Sequence, residues 1–336
     1  MKTFLYQMRL QATQFPFDCR LFTPLCAGLL LLFFSGCAVH EKSNDVTKNI
    51  SLVPENSVSD LSTSYAPVFI LPKWQEVYNR IGKVVAEKHG TYEDISIDPD
   101  QPTIYIDQYT FSTQRATYIN LVYRVHFQGT PFFHLTAGSN VGLLVVITLN
   151  EDHIPLLVTT AQSCGCYASI IPTAHLPVSA YPEGWTNGKQ KVYGETLPAQ
   201  LPGYTSDDAL LVEIRPAVHR IMGLRIGEKK KLTQDSIAAG MMPLKSLKNL
   251  PLTDGTTTSF YYDSWPLRGH VKGSIKLWES LLLSLVSFDL YVGMDKEYGD
   301  TAISGNPFYT SLKIWNRKTS DMNDFAQFLN FYGWKL

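Results

Sequence analysis

The residues best suited to chemistry in this sequence are two cysteines separated by a single glycine. Cys164 and Cys166 lie in the run Gln162–Tyr167 (QSCGCY), directly after a segment with the apolar pattern of a buried strand. Thiolates act as nucleophiles, bind soft metal ions and form disulfides. Four roles therefore stay open for the pair: a local disulfide, two buried unreactive thiols, a metal site and a catalytic thiol.

Each of these roles makes a different demand on the local structure. A disulfide between Cys164 and Cys166 would close a strained ring, which Gly165 would ease, and strain makes such a bond easier to reduce. Unreactive thiols would pack as small hydrophobic side chains. A catalytic thiol would need a lowered pKa and a nearby base.

A metal site would need more ligands than these two thiolates. Copper(I) and zinc are the soft ions that such a pair could hold, and histidines in the same region could complete the site. The candidate ligands are Cys164, Cys166, His134 and His126, with His134 as the first choice. No histidine has the spacing of a known zinc signature, so the simpler expectation is that no metal is bound.

Other catalytic signatures are missing from the sequence. It has no phosphate-binding glycine loop, no Gly-x-Ser-x-Gly elbow and no HExxH helix. Glu279 and Asp289 stand in an otherwise apolar segment, where we expect them to pair with basic side chains or to face solvent. We therefore assign no catalytic residue, and a non-enzymatic role is favoured.

The first residues have the layout of a secretory signal. Lys2, Arg9 and Arg20 precede an apolar stretch at Ala27–Phe34. That stretch is too short to span a bilayer, which needs about 20 apolar residues.

The apolar stretch leads into Phe34-Ser35-Gly36-Cys37, which resembles the lipobox of bacterial lipoproteins. The resemblance implies cleavage after Gly36 and lipidation of Cys37, for example with palmitate. Two or more acyl chains anchor a protein stably. Ala38 follows the cysteine, and the resemblance then favours the outer membrane.

Composition excludes several classes of function. The leader, 1–36, carries three basic residues and one acidic residue, so the net charge of −1 for the whole chain becomes −3 after cleavage. A nearly neutral chain gives no electrostatic support for binding nucleic acid. Of the 5 cysteines, Cys19 and Cys26 leave with the leader, so the mature protein is no disulfide scaffold.

The mature chain is predicted to comprise a tether and one folded domain. Residues 37–66 are rich in Ser, Asn, Asp and Thr and lack a repeating apolar face, which predicts a flexible tether after the lipidated cysteine. Residues 67–336 are expected to form a single globular α+β domain with a largely antiparallel sheet.

Three helices are predicted to pack with that sheet. Apolar residues at helical spacing predict an N-terminal helix over 74–88. Segment 274–291 is apolar nearly all round, which predicts a helix buried against the sheet. A C-terminal helix is expected from about Asp321, with Ser320 as its N-cap.

Strand patterns fill much of the sequence between these helices. Alternating apolar residues predict two antiparallel pairs, 103–111 with 115–127 and 141–149 with 154–161. The run 142–147 is continuously apolar, as in a strand covered on both faces. Two further strands are predicted at 209–215 and 218–226.

Together these features predict a lipid-anchored protein of the bacterial cell envelope whose domain faces the periplasm. Its expected role is non-catalytic, in binding or envelope assembly, with an envelope protein or a glycan as partner and the membrane reached through the N-terminal lipid. The alternative is a thiol-dependent metal-binding or redox protein that uses Cys164 and Cys166.

Overall fold

The computed structural model describes residues 49–55, 60–132, 134–186, 188–231 and 235–336. The predicted leader, Cys37 and the first part of the predicted tether lie outside these residues. Within the described residues, no helix is both long and apolar enough to cross a bilayer.

The α+β class is confirmed, with 39% strand and 15% helix. The helices are α1 (Leu61–Ser64), α2 (Leu277–Ser287), α3 (Thr301–Ser304) and α4 (Phe325–Phe331). The strands are β1 (Ile50–Pro54), β2 (Val68–Leu71), β3 (Lys83–His89), β4 (Tyr92–Asp98), β5 (Thr103–Ser112), β6 (Thr117–His126), β7 (Gly129–Thr130), β8 (Gly138–Ser139), β9 (Gly142–Leu149), β10 (Pro155–Gln162), β11 (Ser169–Pro172), β12 (Gln190–Val192), β13 (Glu195–Leu197), β14 (Asp208–Ile214), β15 (Ile221–Glu228), β16 (Ser236–Pro243), β17 (Leu250–Pro251) and β18 (Thr257–Thr258).

A ten-stranded mixed sheet organises the fold, in the order β11-β10-β9-β6-β5-β16-β1-β2-β14-β15. Its central pairs β5–β16, β16–β1 and β2–β14 are parallel. The other neighbouring pairs are antiparallel, including the hairpins β5–β6 and β9–β10 that the sequence patterns predicted. The two strands predicted at 209–215 and 218–226 also pair with each other, as β14 and β15. The expected antiparallel arrangement therefore holds on both flanks, while the centre is mixed.

Apolar side chains cover both faces of the sheet at β6 and β9. Leu121, Tyr123 and Val125 belong to one buried cluster, while the intervening Val122 belongs to another. Because successive side chains on a strand point to opposite faces, the two clusters lie on opposite sides. The continuously apolar β9 is buried along its whole length, as its sequence predicted.

The N-terminal helix predicted over 74–88 is wrong. Its first half contains only a short 3-10 turn at Val77–Asn79, and its second half is strand β3, which pairs with β4. Val84 and Ala86 are buried, and residues two apart share a face in a strand rather than in a helix. Cross-strand pairing has prevailed over a weak helical pattern.

The tether predicted over 37–66 extends too far into the fold. Strand β1 lies between β2 and β16 in the ten-stranded sheet, and its Leu52 is fully buried. Tyr65 and Ala66 are also buried. The alternation of apolar and polar residues in Ile50-Ser51-Leu52 is short and is flanked by polar residues, so the sequence did not indicate a strand.

The predicted buried helix is present as α2, but it is not buried. Leu281, Leu282 and Leu285 are exposed, whereas Glu279 and Ser287 are buried. Its polar inner side faces a cluster of charged side chains, so the helix is oriented opposite to the apolar expectation. At the C-terminus, α4 begins after Asp324, whose side chain caps it by accepting from the Gln327 N–H, in place of Ser320.

Candidate thiol site

The two cysteines lie in a tight turn at the end of β10. The Gly165 N–H donates to the Gln162 carbonyl at 2.8 Å, and the Gln162 N–H donates to the Cys166 carbonyl at 2.9 Å. Gly165 has a φ of +90°, and a β-carbon at this position would collide with the Tyr309 carbonyl. Only glycine fits this turn without displacing its neighbour.

Both cysteines of the turn are free thiols. Cys164 is buried, with 2% of its surface exposed, and Cys166 is partly exposed. The Cys166 N–H donates to Cys164 Sγ at 3.4 Å. A hydrogen bond between the two thiol groups holds the pKa of Cys164 well below its usual range and raises the pKa of Cys166. Of the two thiols, the buried Cys164 therefore loses its proton more readily.

Two buried lysines accompany the buried thiol. Lys296 Nζ donates to the Cys164 carbonyl at 2.6 Å, and Lys276 Nζ lies 3.3 Å from Asp295 Oδ1. Both ammonium groups act with the Cys166 hydrogen bond in lowering the pKa of Cys164, against the opposing effect of burial. Nearby cations favour the thiolate, which is the reactive form of cysteine.

Two buried carboxyl groups complete the cluster. Asp295 Oδ2 accepts the Gly142 N–H at 2.9 Å, and burial raises the pKa of Asp295 to about 6. Glu279 is the buried side chain of α2, and burial raises its pKa to about 8. Its Oε2 has no hydrogen-bond partner among the described residues. At neutral pH Asp295 is thus mainly charged and Glu279 mainly protonated.

The proposed metal ligands are not assembled around the thiols. His126 Nε2 accepts from Arg124 Nε at 2.9 Å inside the core, and His134 is exposed. Within the described residues, no three His, Cys, Asp or Glu side chains are placed to hold a metal ion together. The set Cys164, Cys166, His126 and His134 is therefore not a preformed metal site.

The arrangement is suited to thiol–disulfide exchange. Cys166 is the more exposed residue of the two, and the Cys164 thiol lies beside it. Tyr167 and Tyr193 contact each other edge to face next to this thiol, with ring centroids 4.7 Å apart. An accessible thiol with a second thiolate behind it can first form a mixed disulfide and then release it.

Sequence reasoning named the two cysteines and Glu279 but missed their charged partners. Asp295 and Lys296 lie in a polar run between Gly293 and Gly299, which has the composition of a solvated loop. Of these partners, only Lys276 could have been noticed in the sequence, because it is a basic residue at the start of an apolar helix.

Asp289, the other carboxylate named from sequence, accepts from the Tyr309 hydroxyl and pairs with Arg317 at 3.4 Å.

Comparison with known proteins adds no family to this description. No protein-family model, curated protein or solved structure matches the chain significantly.

Proposed function

We propose that this protein is a lipid-anchored component of the bacterial cell envelope whose periplasmic domain performs thiol–disulfide exchange at Cys164 and Cys166. The observation that carries the proposal is a pair of buried lysines whose charges both act on the Cys164 thiol. Lys296 donates to the Cys164 carbonyl, and Lys276 pairs with Asp295. Buried charges are costly unless they are paired, and they concentrate at functional sites. Two merely structural thiols would need no such surroundings.

The exchange would proceed in two balanced steps. The Cys166 thiol gives its proton to the Cys164 thiolate and attacks a disulfide R–S–S–R′, so that RS⁻ leaves and a mixed disulfide forms. Cys164 then passes this proton to the released RS⁻ and attacks the Cys166 sulfur of the mixed disulfide, so that the Cys164–Cys166 disulfide forms and R′S⁻ leaves. The dithiol loses two electrons, and the substrate disulfide gains them.

The buried cations would make the Cys164–Cys166 disulfide a strong oxidant. Lys276 and Lys296 stabilise the Cys164 thiolate, and this stabilisation is lost when the disulfide forms. A stabilised reduced state raises the reduction potential. We therefore expect a potential above about −230 mV, in the range of glutaredoxins or more oxidising.

The test is redox titration of the mature, lipidated protein extracted from membranes in mild detergent. The protein is equilibrated with glutathione buffers, and free thiols are counted by a mass-adding maleimide. Wild type should convert reversibly between two free thiols and none. Cys164→Ser should trap a mixed disulfide between Cys166 and glutathione in the oxidising buffers, whereas Cys166→Ser, which leaves only the buried Cys164, should retain one free thiol across the range. Thiols that react only after unfolding would contradict the proposal.

A lysine variant tests whether the buried cations set the reduction potential of the two thiols. Lys276→Met should lower the potential by about 30 mV or more, because about 1.4 kcal/mol of thiolate stabilisation corresponds to about 30 mV in a two-electron couple. The exposed Lys318→Met is the matched control and should leave the potential unchanged. Circular dichroism checks that both variants fold.

The lipid anchor is proposed on the lipobox resemblance and is tested separately. Cells that express the protein are labelled with a palmitate analogue. Wild type and Cys26→Ala should incorporate the label, and Cys37→Ala should not. Label retained by Cys37→Ala would contradict the anchor without bearing on the thiol site.

A non-catalytic binding role remains a second candidate function. The observation that favours it is the exposed apolar side of α2, since large exposed apolar patches mark sites of protein or membrane contact. A partner protein cross-linked to this side of α2 in intact cells would support a binding role.

A further inference from the structure

The exposed side of α2 forms a continuous apolar surface, which we call the leucine surface. It consists of Ile275, Leu277, Leu281, Leu282, Leu285 and Phe288. Leu285 is 84% exposed and Phe288 is 73% exposed. Leu277, Leu281 and Leu285 follow one another at four-residue spacing and so share one side of the helix.

No exposed charge interrupts α2. Its single ionisable side chain, Glu279, is buried on the opposite side. An uncharged row of large exposed apolar side chains gains free energy only when something apolar covers it. The leucine surface therefore requires an apolar environment outside the domain.

The edge of the leucine surface has the composition of a membrane interface. The 3-10 turn Ile314–Asn316 lies against the end of α2, because Arg317 in the next position donates to the Ser287 carbonyl at 2.6 Å. This turn presents Trp315, which is 72% exposed, and the exposed Lys318 follows. Tryptophan and basic side chains beside an apolar helix are typical of segments that lie in lipid headgroups.

The start of the fold lies close to the proposed lipid anchor along the chain. Strand β1 begins at Ile50, thirteen residues after Cys37. A fully extended chain of that length spans at most about 45 Å. The domain cannot leave the bilayer surface by more than this distance, whatever path the connecting residues follow.

The strand register places this entry point at the same end of the sheet as the start of α2. Strands β1 and β16 start side by side and extend beyond the start of β5, at the end where β6 finishes at His126 and β9 begins at Gly142. The Gly142 N–H is bonded by Asp295, which pairs with Lys276 immediately before α2. Strand β1 and α2 therefore both begin at this end of the sheet.

We propose that the leucine surface contacts the lipid bilayer to which Cys37 is attached, with its leucine and phenylalanine side chains at the boundary of headgroups and acyl chains. This inference rests on the lipid anchor of the proposed function. It adds a second membrane contact, made by the folded domain, which fixes the orientation of the domain and of the thiol turn relative to the bilayer.

The test is photo-crosslinking of the full-length protein in intact cells. Leu285→p-benzoylphenylalanine and Leu281→p-benzoylphenylalanine place the reactive group on the leucine surface. Val178→p-benzoylphenylalanine is the matched control, because Val178 is 82% exposed in the loop after β11, which leaves the opposite end of the sheet. Mass spectrometry of the irradiated, purified protein identifies the adducts.

The expected result is phospholipid adducts at 285 and 281, at least about tenfold more abundant than at 178. Equal labelling at the three positions, adducts to a distinct protein, or adducts to a second copy of this chain would each overturn the inference. Incorporation of palmitate at Cys37 is measured in the same cells. Lipidated protein without lipid adducts overturns only this inference, whereas unlipidated protein overturns the anchor as well.

Discussion

The two sides of α2 reverse the usual distribution of residues in a folded domain. The inner side of α2 buries Glu279, and the buried Lys276 directly precedes the helix. The outer side exposes Leu281 and Leu285 to solvent. Charged side chains are almost never fully buried unless paired, and large apolar patches are rarely exposed. Stability alone favours neither side, so each side indicates a function.

The difference between the two sides is one of mutual dependence. Lys276, Asp295, Lys296 and the Cys164 thiolate shift one another's pKa values, so a change in one alters the others. The exposed leucines touch little of the domain and should respond independently. Substitutions inside the cluster should therefore have large, coupled effects on folding, and those on the leucine surface small effects.

The largest effect is expected for Asp295→Ala. It leaves the buried Lys276 without its carboxylate partner and the Gly142 N–H without an acceptor. Breaking a buried ion pair on one side costs about 3–5 kcal/mol, and urea denaturation should show this loss in the free energy of unfolding. Asp263→Ala, at an exposed position, should change it by no more than about 0.5 kcal/mol.

The double variant Lys276→Met/Asp295→Asn sharpens this prediction. Removing both charges avoids the uncompensated cation, so the double variant should be more stable than Asp295→Ala. If Asp295→Ala unfolds at the same urea concentration as wild type, the charges of Lys276 and Asp295 are not coupled. The contrast between the two sides of α2 would then be wrong.

A smaller, pH-dependent effect is expected for Glu279→Gln. Burial raises the pKa of Glu279 from 4.5 to about 8, so between these values the folded protein holds a proton that the unfolded chain has released. Stability must then fall as the pH rises through this range. From pH 5 to pH 7, wild type should lose about 2–3 kcal/mol of unfolding free energy relative to the variant.

The comparison of wild type with Glu279→Gln cancels the titration of groups that both share. Asp295, Lys276, Lys296 and Cys164, whose charges act on the pKa of Glu279, are present in both proteins. Glu151→Gln, in an exposed turn, should follow the wild-type pH profile. If the unfolding free energies of wild type and Glu279→Gln changed with pH in parallel, the pKa of Glu279 would not be raised in the folded protein, which would contradict this prediction.

A still smaller effect on stability is expected for Gly165→Ala, in the turn that carries Cys164 and Cys166. The new methyl group must adopt a positive φ and also displace the Tyr309 carbonyl, at a cost of at least about 2 kcal/mol. Gly255 also has a positive φ, but no atom lies within 4 Å of a β-carbon there. Gly255→Ala should cost about 1 kcal/mol in the same urea titration. Equal costs would mean that the turn is not held against Tyr309.

Local patterns predicted the parts of the fold that depend on neighbouring segments. The hairpins β5–β6 and β9–β10 are each coded by two adjacent alternating runs and a polar turn, and both are present. Strand β1 shows the limit of such reasoning, because its parallel partner β16 lies far along the chain. No local signal reports a pairing of that kind.

The candidate site was predictable in its thiols and not in its charges. Cysteine is rare in this chain, so Cys164 and Cys166 stand out by type alone. Asp295 and Lys296 are common residues whose burial depends on β9 and the turn that carries the two cysteines, which approach them only in the folded protein. For α2, the apolar composition correctly indicated a helix, but it could not reveal that the sheet would face its single carboxylate.

The smallest effect on stability is expected on the leucine surface, and it separates the two sides of α2 most directly. Leu285→Ser removes an apolar side chain that is already in water, so the free energy of unfolding in detergent-free solution should change by no more than about 0.5 kcal/mol. The matched substitution Leu329→Ala removes a buried leucine of α4 and should cost about 2–5 kcal/mol. A loss of similar size at Leu285 would mean that the domain itself covers this side chain, and the leucine surface would then be part of the core.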